Sequence, residues 1–249
     1  MLSKSQISFV KSLHQKKFRK EHSLFIVEGI KSVTEFINSD YIVDSIFCTE
    51  NVMPKLGNLS QKIKLNQISS ADLDRISNLT TAQQVLALVK IPEQQDLNVE
   101  KLQNEFSLIL DGIQDPGNLG TIIRTADWFG INNIICSEDT AEIYNPKVVQ
   151  ASMGSLPRIN ISYTNLVSLL SKCKIPVYGA LLNGESIYQT IFEKNGFIIF
   201  GNEGKGISAE ISQFVTHPVT IPAFGKAESL NVAISAAIFC SELKRNFLK

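Results

Sequence analysis

The chain has 249 residues, of which 44% are hydrophobic, and it carries 24 Lys and Arg against 24 Asp and Glu. This length and composition predict a globular protein with one large core or two modest ones. The balanced charge excludes a general attraction of the whole molecule to nucleic acid, so any basic contact surface has to be local.

The cysteines and the apolar runs indicate the compartment. The four cysteines are widely separated: Cys48, Cys136, Cys173 and Cys240. They include no C-x-x-C pair, which argues against a zinc site or a disulfide framework. No apolar run approaches the roughly 18 residues that cross a bilayer, and the first residues lack the apolar core of a signal peptide. We therefore expect a cytoplasmic protein with no membrane span and no metal.

A short basic segment lies near the amino terminus, at residues 11–22. Its cations include four that we consider as RNA contacts: Lys16, Lys17, Arg19 and Lys20. On charge alone, a solvated helix face or loop is the simpler interpretation. An arm that contacts RNA phosphates is the alternative.

Strand-like and helix-like segments alternate up to about residue 90. Short apolar runs predict strands, and apolar residues at helical spacing predict the helices between them. The strands are expected at 25–28, 42–48 and 85–89, and the helices at 30–37 and 72–79. This alternation predicts a small α/β domain over residues 1–90, and the polar stretch that follows predicts a linker over 91–105.

Residues 106–249 are predicted to form a second α/β domain. Strands are expected at 106–110, 131–136, 177–182, 197–200 and 219–222, with a helix over 122–129 and further helices opening near residues 145, 166 and 232. The strand at 197–200 is apolar throughout, which is typical of a parallel sheet covered on both faces. Three polar loops follow strands of this domain, and in a parallel sheet such loops meet at one edge.

The first of these loops contains Asp115-Pro116-Gly117-Asn118-Leu119-Gly120. Its glycines do not form G-x-G-x-x-G, and no G-x-x-x-x-G-K-[ST] occurs here or around residues 204–206. Neither nucleotide-binding motif therefore explains the loop.

Taken together, three separated motifs resemble the SpoU, or TrmH-like, branch of the SPOUT RNA ribose methyltransferases. They are Asp115–Gly120 with Arg124-Thr125-Ala126, then Gly201-Asn202-Glu203-Gly204-Lys205-Gly206, then Ile221-Pro222 followed by Glu228-Ser229-Leu230-Asn231-Val232. The third motif departs from the family at Ala223, where methionine is common. A looser resemblance, at 17–19 and 25–29, is to the ribosomal-protein-like RNA substrate-binding domain of larger members.

The resemblance implies a fold and a reaction. It implies a parallel α/β domain threaded into a trefoil knot, which acts as a homodimer. The implied reaction is S-adenosylmethionine-dependent methylation of a ribose 2′-hydroxyl in structured RNA. The substrate-binding domain favours ribosomal RNA, and transfer RNA is the alternative.

The resemblance also implies roles for individual residues. Arg124 is the residue proposed to act on the 2′-hydroxyl, either by losing its proton in a dry site or by binding phosphate and stabilising the developing alkoxide. The resemblance implies that the Asn118 amide holds Arg124 or the ribose, and that Glu203 hydrogen-bonds to the active-site loop or to Arg124. It also implies that Ser229 and Asn231 face the substrate and cofactor. Asn118, Ser229 and Asn231 have a competing interpretation as helix caps, and Glu203 as an exposed carboxylate.

For the cofactor, the resemblance implies contacts from Gly201, Ile221 and Leu230, and Leu182 at a strand end is a weaker candidate. Ordinary packing explains the apolar members equally well. Two other functions compete with the enzyme. One is an RNA-binding module that has lost the chemistry, and the other is an unrelated α/β nucleotide enzyme that uses its glycine loops for phosphate.

Overall fold

A computed structural model gives the structure of the chain and describes residues 2–93, 97 and 99–248. The chain divides into two compact units, Met1–Glu93 with Glu142–Pro157 and Gln94–Ala141 with Arg158–Lys249. Part of the predicted linker, residues 94–96 and 98, lies outside the described residues. Helix α5 (Val99–Leu102) occupies another part of it.

The first unit is built on a four-stranded mixed sheet with the order β1-β4-β2-β3. The strands are β1 (Leu24–Glu28), β2 (Val43–Cys48), β3 (Lys64–Gln67) and β4 (Val85–Lys90). Strand β4 is antiparallel to β1 and β2, and β3 is parallel to β2. The three strands predicted in this region are confirmed, whereas β3 was not predicted because it is short and polar.

The helices of this unit bury apolar residues against the sheet. They are α1 (Lys4–Ser12), α2 (Lys16–His22), α3 (Ile30–Ile37) and α4 (Ser70–Ile76), with a 3-10 helix at Glu50–Leu56. Val10 and Leu13 pack with Ile26, Ile76 and Leu86 in one core. The predicted helices at 30–37 and 72–79 are therefore confirmed within a few residues.

The segment Glu142–Pro157 belongs to the first unit, although the sequence placed it in the second domain. Its helix α7 (Pro146–Ala151) packs against β1. The Tyr144 ring lies 4.6 Å from that of Phe25. At Gly154, where φ is +86°, an added Cβ would lie 2.9 Å from Cγ of Glu35. These tertiary contacts, which local sequence does not encode, join the segment to the first unit.

The second unit contains a six-stranded sheet with the order β10-β8-β9-β5-β6-β7, and every neighbouring pair is parallel. Its strands are β5 (Phe106–Asp111), β6 (Asn133–Cys136), β7 (Asn160–Tyr163), β8 (Val177–Ser186), β9 (Gly196–Gly201) and β10 (His217–Thr220). The predicted parallel sheet is confirmed. Strand β7, which has no apolar run, was not predicted.

Helices cover both faces of this sheet. They are α6 (Pro116–Trp128), α8 (Leu166–Leu170), α9 (Ala209–Ser212) and α10 (Val232–Asn246). Leu169 of α8 packs in one core with Ile199 of β9. Phe200, the next residue along β9, points to the opposite face, where its ring lies 5.4 Å from that of Phe239 in α10. This double cover explains why the strands are apolar throughout.

The carboxyl ends of β5, β8, β9 and β10 lead into loops along one edge of the sheet, which we call the reaction edge. Asp111, the last residue of β5, pairs with Gly201, the last residue of β9. At β10, the Thr220 hydroxyl donates to the Leu182 carbonyl of β8 over 3.0 Å. All three motifs recognised in the sequence therefore lie on this edge.

Candidate active site

The first motif forms the turn between β5 and α6. Gly112 has φ +71°, a conformation that favours glycine. Asp115 then caps α6, because its Oδ1 accepts from the backbone N–H of Asn118 over 2.8 Å, and Pro116 is the first helical residue. Asn118 is therefore not the helix cap, and its side chain is free to point elsewhere.

The second motif is a closed loop held by Asn202. The backbones of Asn202 and Gly206 exchange two hydrogen bonds of 3.0 and 2.8 Å. The Asn202 side chain accepts from the N–H groups of Gly204 and Lys205 and donates to the Gly112 carbonyl over 2.8 Å. Gly201 has to be glycine, because an added Cβ would lie 2.1 Å from the Gly206 carbonyl carbon.

A second tie joins the same two loops. The carboxylate of Asp111, which is largely buried, accepts from the backbone N–H of Ser208 over 2.7 Å. Sequence reasoning assigned no part to Asp111 or Asn202. The spacing Asn202-x-Gly204-x-Gly206 was an available signal, because an asparagine side chain commonly closes a turn over the residues that follow it.

Three polar side chains, one from each motif, form a chain of hydrogen bonds at the reaction edge. The Asn231 carbonyl Oδ1 caps α10 by accepting from the N–H groups of Ala233 and Ile234. The Asn231 Nδ2 donates to Oδ1 of Asn118 over 2.9 Å. The Asn118 Nδ2 then donates to Oε1 of Glu203 over 2.9 Å. The competing interpretation of Asn231 as a cap is thus confirmed, and its amide also reaches Asn118.

These hydrogen bonds run in one direction, from Asn231 through Asn118 to Glu203, and they leave several donors and acceptors of the three side chains available. Each amide nitrogen carries two N–H groups and uses one, and a carboxylate oxygen accepts more than one bond. Within the described residues, the hydrogen bond from Asn118 engages Oε1 of Glu203 and leaves Oε2 to accept another donor. Since Asn118 is half-buried and Glu203 and Asn231 are exposed, a substrate has access to these groups.

Two further predicted site residues, Arg124 on α6 and Ser229 just before α10, have no bonding partner within the described residues. Arg124 is exposed on α6, one helical turn after Gly120, and Ser229 is exposed just before the cap of α10. Across residues 2–93, 97 and 99–248, neither side chain makes a hydrogen bond or an ion pair. An exposed guanidinium remains protonated, so the arrangement favours phosphate binding or stabilisation of negative charge over proton abstraction by Arg124.

The predicted cofactor residues lie at neighbouring strand ends. Gly201 ends β9, Leu182 is in β8 and Ile221 directly follows β10. Leu182 is 72% exposed and Leu230 is 49% exposed, while Ile221 is half-buried. Ordinary packing therefore does not account for Leu182 or Leu230, whose apolar side chains remain available to a ligand.

The basic segment divides into two kinds of cation. Lys16, Lys17 and Lys20 are exposed on α2. Arg19 is only 2% exposed, and its Nη2 lies 2.5 Å from Oε2 of Glu142. Its Nη1 also donates to the carbonyls of Leu13 and His14 over 3.0 and 2.9 Å. The prediction of Arg19 as an RNA contact is corrected, because its guanidinium is bonded within the first unit.

Other chemistries find little support in the described part of the chain. Burial raises the pKa of the Cys240 thiol to about 12, and it raises the pKa of Cys136 further, which disfavours the thiolate form that acts as a nucleophile. Within the ranges described, no group of three His, Cys, Asp or Glu side chains is placed to hold a metal ion. None of the helices in those ranges has the length and apolar character to cross a membrane.

Comparison with protein families accounts for almost the whole chain. The model of the SpoU rRNA Methylase family matches residues 105–241, and that of the MRM3-like substrate binding domain matches residues 4–87. The first match covers more than half of the chain and includes all three motifs. The chain therefore belongs to the SpoU rRNA methylase family, which confirms the predicted class: an S-adenosylmethionine-dependent RNA methyltransferase.

Individual relatives agree with this class. The 23S rRNA (guanosine(2553)-2′-O)-methyltransferase RlmP of Bacillus subtilis is 34% identical over 239 residues, which is 94% of both chains. A TrmH-family protein from Porphyromonas gingivalis superposes with a TM-score of 0.88 at 39% identity, over 98% of this chain and 99% of its own. The AdoMet-bound rRNA methyltransferase of Sinorhizobium meliloti has a TM-score of 0.83 at 26% identity, over 100% of this chain and 97% of its own.

Proposed function

We propose that the protein methylates a ribose 2′-hydroxyl of ribosomal RNA. The observation that carries the proposal is the hydrogen-bond chain from Asn231 through Asn118 to Glu203, which joins all three motifs. The exposed Arg124 lies on the same helix as Asn118. The likeness to RlmP, a 23S rRNA enzyme, over 94% of both chains supports ribosomal RNA as the substrate class.

In the proposed mechanism, the protein's main contribution is to hold the nucleotide in position. Transfer of a methyl group to an oxygen requires that the oxygen be aligned with the donor and lose its proton. The fixed amide of Asn118 orients the ribose, and Oε2 of Glu203 accepts a hydrogen bond from the ribose. The proton of the 2′-hydroxyl passes to solvent water as the methyl group is transferred. Arg124 binds the adjacent phosphate and stabilises negative charge that develops on the 2′-oxygen. Ser229 provides a further hydroxyl contact.

The residues at the reaction edge fit S-adenosylmethionine. A nucleoside needs apolar surface for its base and backbone polar groups for its edges, and the exposed Leu182 and Leu230 beside the turn at Gly201 supply both. Ile221 completes the proposed contacts. When bound, the cofactor supplies an electrophilic methyl group. Ala223 leaves more space at this loop than the methionine common in the family.

The remaining expectations are part of the same proposal. The protein acts in the cytoplasm as a homodimer of its second unit, and its chain forms the trefoil knot of the family. The exposed Lys16, Lys17 and Lys20 contact RNA phosphates through the first unit. The exposed Trp128 on α6 and Ile234 on α10, at 83% and 51%, support a partner surface on these helices.

The proposal is tested by mapping ribose 2′-O-methylation across cellular RNA with and without the gene. We expect one ribosomal site to lose its methyl group in the deletion strain. Purified protein should then transfer label from S-adenosylmethionine to ribosomal RNA from that strain. Loss of a transfer-RNA methyl group instead would contradict the proposed ribosomal RNA substrate. Folded protein that binds RNA but transfers no label would contradict the proposed reaction.

A further inference from the structure

An exposed aromatic ring stands on the third-motif loop. Phe224 is 94% exposed, which exceeds every other large hydrophobic side chain in the described residues. It lies between β10 and α10, on the loop that carries Ser229 and Asn231. Its ring has no aromatic partner within those residues. Single exposed apolar side chains are common on protein surfaces, so the location of Phe224, more than its exposure, indicates a ligand.

The ends of this loop fix where Phe224 lies. The loop begins beside the Thr220 hydroxyl, which is bonded to the Leu182 carbonyl, and ends at Asn231, which is bonded to Asn118. Phe224 is three residues from Ile221, so their Cα atoms are at most about 11 Å apart. The ring is therefore tied to the reaction edge at both ends of a short loop.

The surrounding charge favours RNA as the ligand of this ring. Lys226, two residues further on, is exposed and makes no ion pair among the described residues, while Glu228 is the exposed acid of the same loop. An aromatic ring beside a free cation matches a nucleobase with its phosphate. Apart from its two chain neighbours, Gly225 between them has no heavy atom within 4 Å of the position of an added Cβ, so the loop is open at this point.

We propose that Phe224 is a stacking platform for a nucleobase at or next to the target nucleotide. This proposal rests on the proposed function. A base that leaves its neighbours so that its ribose can reach the reaction edge loses stacking, and an aromatic ring restores it. Phe224 then acts as a substrate-binding residue, which is not required for binding of the methyl donor.

The test compares Phe224→Ala, Phe224→Leu and Phe224→Trp in the full-length protein. The probe is 23S ribosomal RNA purified from a strain lacking the gene. We expect Phe224→Ala and Phe224→Leu to weaken RNA binding by roughly five- to a hundred-fold, and Phe224→Trp to stay close to wild type. Affinity for S-adenosylmethionine and molar mass in solution should not change.

The matched control is Ile191→Ala, which removes an equally exposed apolar side chain, at 84%, from the connection between β8 and β9. It should leave RNA affinity unchanged. If Phe224→Ala or Phe224→Leu bound RNA with wild-type affinity, the proposed stacking role of Phe224 would be wrong. Loss of affinity for S-adenosylmethionine in Phe224→Ala would indicate that the ring covers the cofactor instead. A lower molar mass of this variant in solution would indicate that the ring contacts a second subunit instead. If the wild-type protein transfers no methyl group to RNA, the proposed function fails instead.

Discussion

Arg19 on α2 and Arg124 on α6 are both helical arginines, but their guanidinium groups have opposite surroundings. Arg19 is buried, pairs with Glu142 through two nitrogens and donates to two carbonyls. Arg124 is exposed and has no partner in the described residues. A buried and fully paired cation holds the fold together, whereas an exposed unpaired cation is available to a phosphate. The exposed lysines of α2 resemble Arg124 in this respect.

The largest effect is expected from Arg19→Met. The substitution removes one partner of a buried ion pair and leaves the Glu142 carboxylate without its counter-ion. We expect the free energy of unfolding to fall by about 3 kcal/mol or more. Urea denaturation of the purified variant measures this. Methyl transfer per folded molecule should remain near wild type.

The double variant Arg19→Met, Glu142→Leu provides the control for that experiment. It removes both charges, and we expect it to recover most of the lost stability. If Arg19→Met were as stable as wild type but bound RNA weakly, the comparison with Arg124 would break down, because Arg19 would then serve RNA rather than the fold.

Arg124→Lys tests the other side of the comparison. Lysine keeps the charge but loses the planar set of five donors, so a site that uses several of them loses positioning. We expect the turnover number to fall on the order of a hundred-fold, with unfolding by urea unchanged. Arg245→Lys is the matched control, because Arg245 is on α10 about 20 Å from its first turn. Near-normal turnover of Arg124→Lys would remove Arg124 from any specific role.

The sequence could not distinguish the two arginines, because the distinction depends on a contact between residues that are far apart in the chain. The partner of Arg19 is Glu142, 123 residues away, and nothing local indicates that the two meet. The same long-range packing moves Glu142–Pro157 into the first unit. By contrast, the parallel sheet of the second unit follows from apolar strands and polar loops, which are local patterns.

The site shows the same division between local and long-range information. The sequence predicted that Asn118, Glu203 and Asn231 lie at one edge of the sheet. Their loops follow strands, and the carboxyl ends of parallel strands meet at the same edge. The cap of α6 was misjudged at Asn118, although Asp115 directly before a proline is the stronger signal. The resemblance implied a bond from Glu203 to the active-site loop or to Arg124, and the fold identifies the partner as Asn118, 85 positions away.

Asn118→Ala should have a smaller effect than Arg124→Lys. It removes the middle member of the hydrogen-bond chain while Asp115 still caps α6, so the helix is retained and only the orientation of the site is lost. We expect turnover to fall roughly ten-fold, because one positioning hydrogen bond is worth on the order of 1–2 kcal/mol. Steady-state kinetics should place the loss in kcat more than in KM for S-adenosylmethionine. Thr121→Ala, one turn along the same helix, should retain activity. Equal losses in both variants would make the effect structural.

The smallest effect per substitution is expected from the exposed cations of α2. Lys16→Gln, Lys17→Gln and Lys20→Gln together should weaken RNA binding roughly ten-fold near physiological salt, because each phosphate contact releases counter-ions. Filter binding across a salt series should show a log–log slope that is shallower by about two to three, while turnover at saturating RNA stays constant. The control replaces Lys55, Lys62 and Lys64, three exposed lysines of the same unit, by glutamine. If both triple variants changed the slope equally, net charge would explain the binding and α2 would hold no RNA surface. A change confined to the α2 variant separates its lysines from the buried Arg19 between them.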